Sequence, residues 1–160
     1  MMSAFVTKRF RIAVVLALSS ISPALAAGQT PDATVSELYA AYGQGCDHAE
    51  RNGLDDALAK RLFDPDLARI YRKAKSIDAD FFVAGQDWCI TAPVAVAATS
   101  QSQSKASMVA TVTLDDAFGQ GKPRIRTLKI KFDLSHASDG WRISDAFDGA
   151  TSAKQAWRRP

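Results

Sequence analysis

The hydrophobic pattern of this chain changes once, from a helical period to a strand period, and that change limits the fold more than any other feature. Up to about Ala74 the apolar residues recur at spacings of three and four, which is typical of amphipathic helices. From Ala92 onward they alternate at every second residue, as in strands with one buried face. Helices followed by a run of strands, instead of helices alternating with strands, predict an α+β domain.

Three helices are predicted before the sheet. The first begins at Pro31, after Thr30 as its N-cap, and ends at Gly43. A short second helix follows Gly53, and a third begins after Asp64. Their predicted inward faces carry Val35, Leu38, Tyr39, Tyr42, Leu54, Leu58, Leu62, Leu67, Ile70, Tyr71 and Ala74.

Four antiparallel strands are predicted after the helices, over residues 93–97, 108–114, 127–134 and 141–145. The third has the clearest alternation, and its inward side chains are Leu128, Ile130, Phe132 and Leu134. The fold class expected is therefore α+β, with three N-terminal helices packed on a curved four-stranded antiparallel sheet. Such a curled sheet with helices on one face forms a cone that holds a cavity.

Residues 1–26 have the pattern of a cleaved export signal. Lys8, Arg9 and Arg11 precede the short apolar run 12–18, and Ala24-Leu25-Ala26 matches a cleavage site. The apolar run is too short for a permanent membrane helix, and no Cys stands near the cleavage site to carry a lipid anchor. We expect a soluble periplasmic protein with one domain over residues 30–150 and a basic C-terminal tail over residues 151–160.

Removal of the signal changes what the charge implies. The whole chain has 20 Lys and Arg against 17 Asp and Glu, and all three charged residues of residues 1–26 are basic. The remaining chain is therefore neutral, and it has no electrostatic footprint for nucleic acid.

The chain has two cysteines, Cys46 and Cys89. In an exported protein they favour a disulfide bond. Closing a loop of that length stabilises a fold by roughly 4 kcal/mol in the chain-entropy model. Two unpaired buried thiols are the alternative.

Several short motifs resemble those of domain-of-unknown-function family 3828. They are Tyr39-x-x-Tyr42, Asp80-Phe81-Phe82, Gln86-Asp87-Trp88 and the closing segment Gly140-Trp141-Arg142-Ile143-Ser144-Asp145. The resemblance covers residues 31–147 and implies a small exported bacterial protein with a cone similar to nuclear transport factor 2. It transfers no catalytic residue to this chain, and the lipid-attachment Cys of lipoprotein relatives is missing.

Asp145 is the most interesting candidate for a chemical role. In a regular strand it shares a face with Trp141, Ile143 and Phe147, so that its carboxylate lies among apolar side chains. A carboxylate in such a place must be paired, or its pKa is raised by the loss of water. Two interpretations stay open, an acid in a ligand pocket and a paired or solvated residue at a strand end.

Arg126 has the same parity as Leu128, Ile130 and Phe132, which places it at the other end of the same cavity. There it would pair with Asp145 or bind an anionic ligand through two parallel hydrogen bonds. Exposure at the strand edge is the alternative.

Asp87, Tyr39 and Tyr42 complete the predicted ligand-binding set. Asp87 lies in a short polar segment before the sheet, where an Asp accepts backbone N–H bonds or contacts a ligand. Tyr39 and Tyr42 lie on the inward helical face, where an aromatic ring is either core or a hydroxyl donor to a pocket. No metal, cofactor or nucleophile is predicted, because His48 and His136 have no partner at ligand spacing.

The favoured hypothesis is a non-catalytic periplasmic binding protein for a small molecule or a periplasmic protein. An immunity or inhibitor protein is one form of this hypothesis. A small isomerase or dehydratase that uses Asp145 with a helix tyrosine is the first alternative. An envelope protein-interaction module that uses the loop 115–123, with Phe118 at its tip, is the second.

Overall fold

Each strand of the sheet is hydrogen-bonded to the strands that come before and after it in the chain. In the computed structural model, which describes residues 29–46, 53–74, 80–85, 89–115 and 122–158, every neighbouring pair is antiparallel. The strands are β1 (Ala95–Gln101), β2 (Lys105–Asp115), β3 (Ile125–Ala137), β4 (Gly140–Asp148) and β5 (Thr151–Ser152). The α+β class is confirmed, with a fifth, two-residue strand beyond the four that were predicted.

Four helices occur in the described residues: α1 (Pro31–Tyr42), α2 (Asp56–Leu62), α3 (Pro65–Lys73) and α4 (Ala153–Ala156). α2 and α3 begin at aspartate N-caps, because Oδ1 of Asp55 accepts the Leu58 N–H and Oδ1 of Asp64 accepts the Leu67 N–H, each at 2.7 Å. α1 packs against β1, β2 and β4, while α2, α3 and α4 pack against β4. The described helices thus cover one face of the sheet.

Alternation along the strands places the core between the helices and this face. The alternating apolar residues of β2 are buried, and so are the predicted inward residues of β3: Met108, Ala110, Val112, Leu114, Leu128, Ile130, Phe132 and Leu134. Aromatic rings join the two layers, since the rings of Phe82 and Phe132 are stacked at 5.7 Å and the ring of Tyr39 meets that of Phe132 edge-on at 6.2 Å.

The basic tail predicted over residues 151–160 is not separate from the domain in its described part, which forms β5 and α4 and packs against β4 and α3. Ser152 and Gln155 form a capping box at the start of α4, in which the Gln155 N–H donates to the Ser152 Oγ at 3.1 Å. Trp157 is buried, and its ring lies 5.2 Å from that of Tyr71 and 5.9 Å from that of Phe63. The sequence signals of this packed helix are the Ser-x-x-Gln capping pattern and the Trp that follows it.

The two edges of the sheet end differently. On the far side of β4, the Asp64 N–H donates to the Ile143 carbonyl at 2.8 Å, and β5 pairs with Phe147 and Asp148. On the far side of β1, no strand of the described chain is paired with Ala95–Gln101, and six of the seven residues are exposed. Within the described residues, one edge of the sheet is therefore covered and the other is open.

Candidate functional site

A groove of about 200 Å³ lies between α1 and the segment that enters β1. Its walls come from two parts of the chain that are 46 or more residues apart in sequence but are neighbours in space, so only the tertiary fold forms it. The residues that line it are Ser36, Tyr39, Ala40, Gly43, Gln44, Ile90, Ala92, Pro93 and Val94. Most of these side chains are apolar or small, so the groove suits an apolar group.

A disulfide bond and a backbone bridge hold the two walls together. Cys46 and Cys89 are bonded, with their Cα atoms 4.5 Å apart, which confirms the predicted disulfide. One residue further in, the Gly45 N–H donates to the Ile90 carbonyl at 2.7 Å. The second wall is fixed to the sheet in turn, because the Thr91 N–H donates to the Thr113 carbonyl at 2.9 Å.

The return of the chain from α1 to Ile90 requires left-handed backbone at two glycines. Gly43 ends the helix with φ 66°, and Gly45 has φ 94°. A side chain is strained in this region of φ, and glycine is not. The predicted stop at Gly43 is confirmed, and it serves to turn the chain along the groove.

Tyr39 forms part of the groove wall while its hydroxyl points into the protein. The side chain is 4% exposed, and its hydroxyl donates to the Phe82 carbonyl at 3.2 Å. Burial, and then the charge of Asp80, raise the pKa of Tyr39 far above its ordinary value. Tyr39 therefore stays neutral and contributes an apolar ring to the groove.

Tyr42 and Asp80 form a buried pair beneath this wall. The Tyr42 hydroxyl donates to Oδ2 of Asp80 at 2.6 Å, and the Phe82 N–H donates to Oδ1 at 2.9 Å. Burial raises the pKa of the Asp80 carboxyl, and these two hydrogen bonds lower it only in part. Burial, followed by the charge of Asp80, likewise raises the pKa of Tyr42.

Both oxygens of Asp80 thus hold the turn 80–85, which the backbone also closes by two hydrogen bonds between Asp80 and Gly85. This turn carries Phe82 and Val83 into the core. No local pattern in the sequence links Asp80 to Tyr42, which lies 38 positions earlier. The sequence does place an acid directly before aromatic residues that are buried. A buried carboxylate needs a hydrogen-bond donor, so this pattern indicates a partner for Asp80.

Asp145 does not lie on the face that was predicted for it. Ser144 is an extra residue in β4, because Asp133 pairs with Asp145 whereas Leu134 pairs with Ile143. The bulge reverses the alternation, so that Ala146 becomes buried and Asp145 lies on the outer face opposite Asp133.

The half-buried Asp145 carboxylate has a local structural role. Its Oδ1 accepts the Ala146 N–H at 2.9 Å and, from the first turn of α4, the Lys154 N–H at 3.3 Å. The expectation that Asp145 shares a face with Trp141 and Ile143 was wrong. The isomerase alternative required Asp145 as an acid inside the pocket, and Asp145 does not lie there.

Arg126 keeps its predicted inward parity but does not approach Asp145. It pairs in register with Leu114 near the start of β3, and its Nη2 donates to the Val83 carbonyl at 3.5 Å. Asp145 lies beside Asp133, seven residues further along the same strand and on the opposite face. The structure therefore brings Arg126 to the turn 80–85 and does not form the predicted pair with Asp145.

Some predicted residues lie outside the described residues. They are Asp87, His48, Phe118 and the segment 1–26. The predictions made for them stay predictions.

Within the described ranges, no three His, Cys, Asp or Glu residues are grouped so that they hold a metal ion. No helix in the same part of the chain is long and apolar enough to cross a membrane.

Comparison with known proteins gives one structural neighbour of low similarity. No profile of a known protein family matches the chain, and no characterised protein matches it either. The crystal structure of the intermembrane space region of the chloroplast protein ARC6 is similar at 14% identity over 76% of this chain and 98% of that region, with a TM-score of 0.34. A similarity at this level does not identify a shared fold or function.

Proposed function

We propose that this protein is an exported, non-catalytic binding protein whose groove between α1 and residues 90–94 receives a side chain of a protein partner. The observation that carries this proposal is the groove with its two walls tied by the Cys46–Cys89 disulfide and the Gly45–Ile90 bridge. Walls that are fixed before binding reduce the entropy lost on association.

The size of the groove favours a protein partner over a metabolite. Pockets that enclose small molecules have volumes of about 300–1,000 Å³. The groove, at about 200 Å³, is below that range. A large apolar side chain presented by another protein fits such a depression, with the rest of the contact on the surface around it.

Export to the periplasm is part of the same proposal. Two features support it, the signal-like pattern of residues 1–26 and the disulfide bond, since disulfides persist in oxidising compartments. We also propose that the fold is a cone similar to nuclear transport factor 2 and belongs with family 3828, as the motif resemblance implies. Helices on one sheet face and strand irregularities at Ala98–Ser100 and Asp133–Leu134, which bend strands, support the cone.

The proposal is tested by filling the groove. Ala40 is exposed on the groove wall, and Ala57 is a matched exposed alanine on α2 away from it. Mature wild-type protein, Ala40→Trp and Ala57→Trp are each purified gently from the native periplasm and examined by native mass spectrometry. We expect a second polypeptide of fixed stoichiometry with the wild type and Ala57→Trp, and its loss with Ala40→Trp.

Two outcomes contradict the proposal. A polypeptide that stays bound to Ala40→Trp shows that the groove is not the contact. A mass increment of a few hundred daltons instead of a polypeptide shows a small-molecule site. Equal thermal stability of the two Trp variants is the control that both remain folded.

A further inference from the structure

The open edge of β1 is the second unusual surface of this protein. Ala95–Gln101 contains no Asp, Glu, Lys or Arg, and six of its seven residues are exposed. Open edges in natural proteins are commonly protected by charge, proline, bulges or a covering segment. Here Pro93 and the irregularity between Ala98 and Ser100 interrupt the edge, but the stretch from Val94 to Ala98 has neither charge nor bulge.

The chain already uses the same line of backbone groups just before β1. Ile90 is bridged on one side by Leu114 of β2 and on the other side by Gly45. Gly45 therefore occupies the position of a sixth strand for one residue. Along β1 itself, no residue of the described ranges is bridged on this side.

The groove and the edge are continuous. Ala92, Pro93 and Val94 line the groove, and Ala95 begins β1. An extended segment that pairs with β1 and continues toward Ile90 passes over the groove. Its side chains alternate between two faces, so every second one points to the same side as the groove.

The edge alone is too small to hold a second copy of this chain. β1 has seven residues and is about 23 Å long at ~3.3 Å per residue. A contact that is one strand wide covers a few hundred Å² at most, whereas stable interfaces between folded proteins bury about 800 Å² on each partner. An extended segment needs no such area, because main-chain hydrogen bonds provide affinity and the groove provides a side-chain anchor.

We propose that β1 receives an extended, uncharged segment of a partner protein as a sixth strand, and that one large apolar side chain of this segment occupies the groove. This inference rests on the proposed function, since it states how the partner reaches the groove. The segment is uncharged because the edge offers no charged side chain to pair with it. β-branched residues are favoured in it because they suit a strand.

The probe for the test is a phage-displayed library of random peptides about nine residues long, selected on mature protein with its disulfide intact. Ala95→Lys/Ala97→Lys places charges beside the edge, and Ile125→Lys/Thr127→Lys places two on the exposed outer face of β3 as a matched control. We expect uncharged peptides with one large apolar position. Their affinity should fall about tenfold or more for the edge variant and stay within about twofold for the control.

Two further measurements separate strand addition from side-chain contact alone. Binding of the selected peptide should slow hydrogen exchange of β1 amides. N-methylation of alternate peptide amides should abolish binding in one register and spare it in the other, because only every second amide faces the edge.

The outcomes distinguish the two proposals. If Ala40→Trp abolishes binding while β1 exchange and the edge variant show no effect, the groove function stands and strand addition is wrong. If the edge variant abolishes binding while Ala40→Trp does not, the groove function is wrong. If no peptide is enriched over the edge variant, or if β1 amides become protected as the protein itself is concentrated into a dimer, the sixth-strand inference is overturned.

Discussion

Asp80 places a carboxylate beside three tyrosine rings, and its surroundings raise the pKa of every group involved. Tyr39, Tyr42 and Tyr71 all feel its negative charge, and burial together with this charge raises the pKa of Tyr71 to about 12. Burial also raises the pKa of the Asp80 carboxyl, although the Tyr42 hydroxyl and the Phe82 N–H donate hydrogen bonds to it. The folded protein therefore holds the Asp80 proton more tightly than the unfolded chain does. The resulting stability is present below the ordinary pKa of Asp and is lost as the pH rises through the folded pKa.

Replacing Tyr42 by Phe removes the hydroxyl donor to Oδ2 of Asp80 and leaves the carboxylate in the same buried place. We expect the free energy of unfolding at neutral pH to fall by about 1–3 kcal/mol. In acid the loss should be smaller, because the protonated carboxyl is less costly to bury than the carboxylate. Urea denaturation at pH 7 and near pH 4 measures both values.

Tyr39→Phe is the matched control, since the Tyr39 hydroxyl donates to a neutral carbonyl. It should cost about 0.5–1.5 kcal/mol at both pH values. A Tyr42→Phe penalty that is independent of pH would contradict the charge-based explanation.

Among the elements, β4 shows how one residue decides which side chains enter the core. Ahead of the inserted Ser144 in the chain, Trp141 and Ile143 face the helices. After it, Ala146 faces them. The Ser144 Oγ donates to the Asp133 carbonyl at 2.9 Å, which supports the bulge locally. The same shift brings the Asp145 carboxylate to the Lys154 N–H at the start of α4.

Deletion of Ser144 removes the extra residue, so that Ile143 and Asp145 become consecutive partners of Leu134 and Asp133. Asp145 then stays on the outer face and Ala146 stays in the core. We expect the free energy of unfolding to fall by about 1 kcal/mol, because the hydrogen bond of the Ser144 Oγ is lost. Ser144→Ala keeps the bulge and loses the same hydrogen bond, so it should cost about as much. Thermal denaturation compares the two variants, and a deletion that costs about 3 kcal/mol more than Ser144→Ala would show that the core depends on the bulge itself.

Across the whole molecule, one covalent link connects the helical layer to the sheet beside the groove. The Cys46–Cys89 bond spans 43 positions of sequence, including α2 and α3, and joins the end of α1 to the segment that enters β1. The Gly45–Ile90 backbone bridge lies beside this bond and joins the same two segments.

Reduction of this disulfide should lower the free energy of unfolding by about 4 kcal/mol, since the unfolded chain regains the entropy of the open loop. It should also speed hydrogen exchange of the Gly45 amide, because the groove walls are then held less firmly. Urea denaturation and hydrogen exchange with and without reductant measure these effects. Cys46→Ser/Cys89→Ser should behave like the reduced protein and show no response to reductant. A loss below about 1 kcal/mol would show that other contacts hold the walls.

Local patterns in the sequence account for much of the fold. The start of α1 at Pro31, its end at Gly43 and the alternation of β2 and β3 follow from backbone preferences and side-chain parity. The disulfide was predicted from the two cysteines together with the export-like pattern of residues 1–26, and it is confirmed. The face predicted for Asp145 in β4 was wrong, because a bulge arises from the pairing with β3 and has no reliable sequence pattern.

Local sequence patterns predict the α+β class, the order of the elements as far as β4 and most of the core, because hydrophobic period and capping residues act over a few neighbouring positions. The candidate site depends on the tertiary structure. The groove joins α1 to residues 90–94, the Tyr42–Asp80 pair joins residues 38 positions apart, and the open edge of β1 depends on what the rest of the chain covers. Each of these features is a contact between distant segments, and the free energy that selects it comes from packing and pairing across the whole domain instead of local preference.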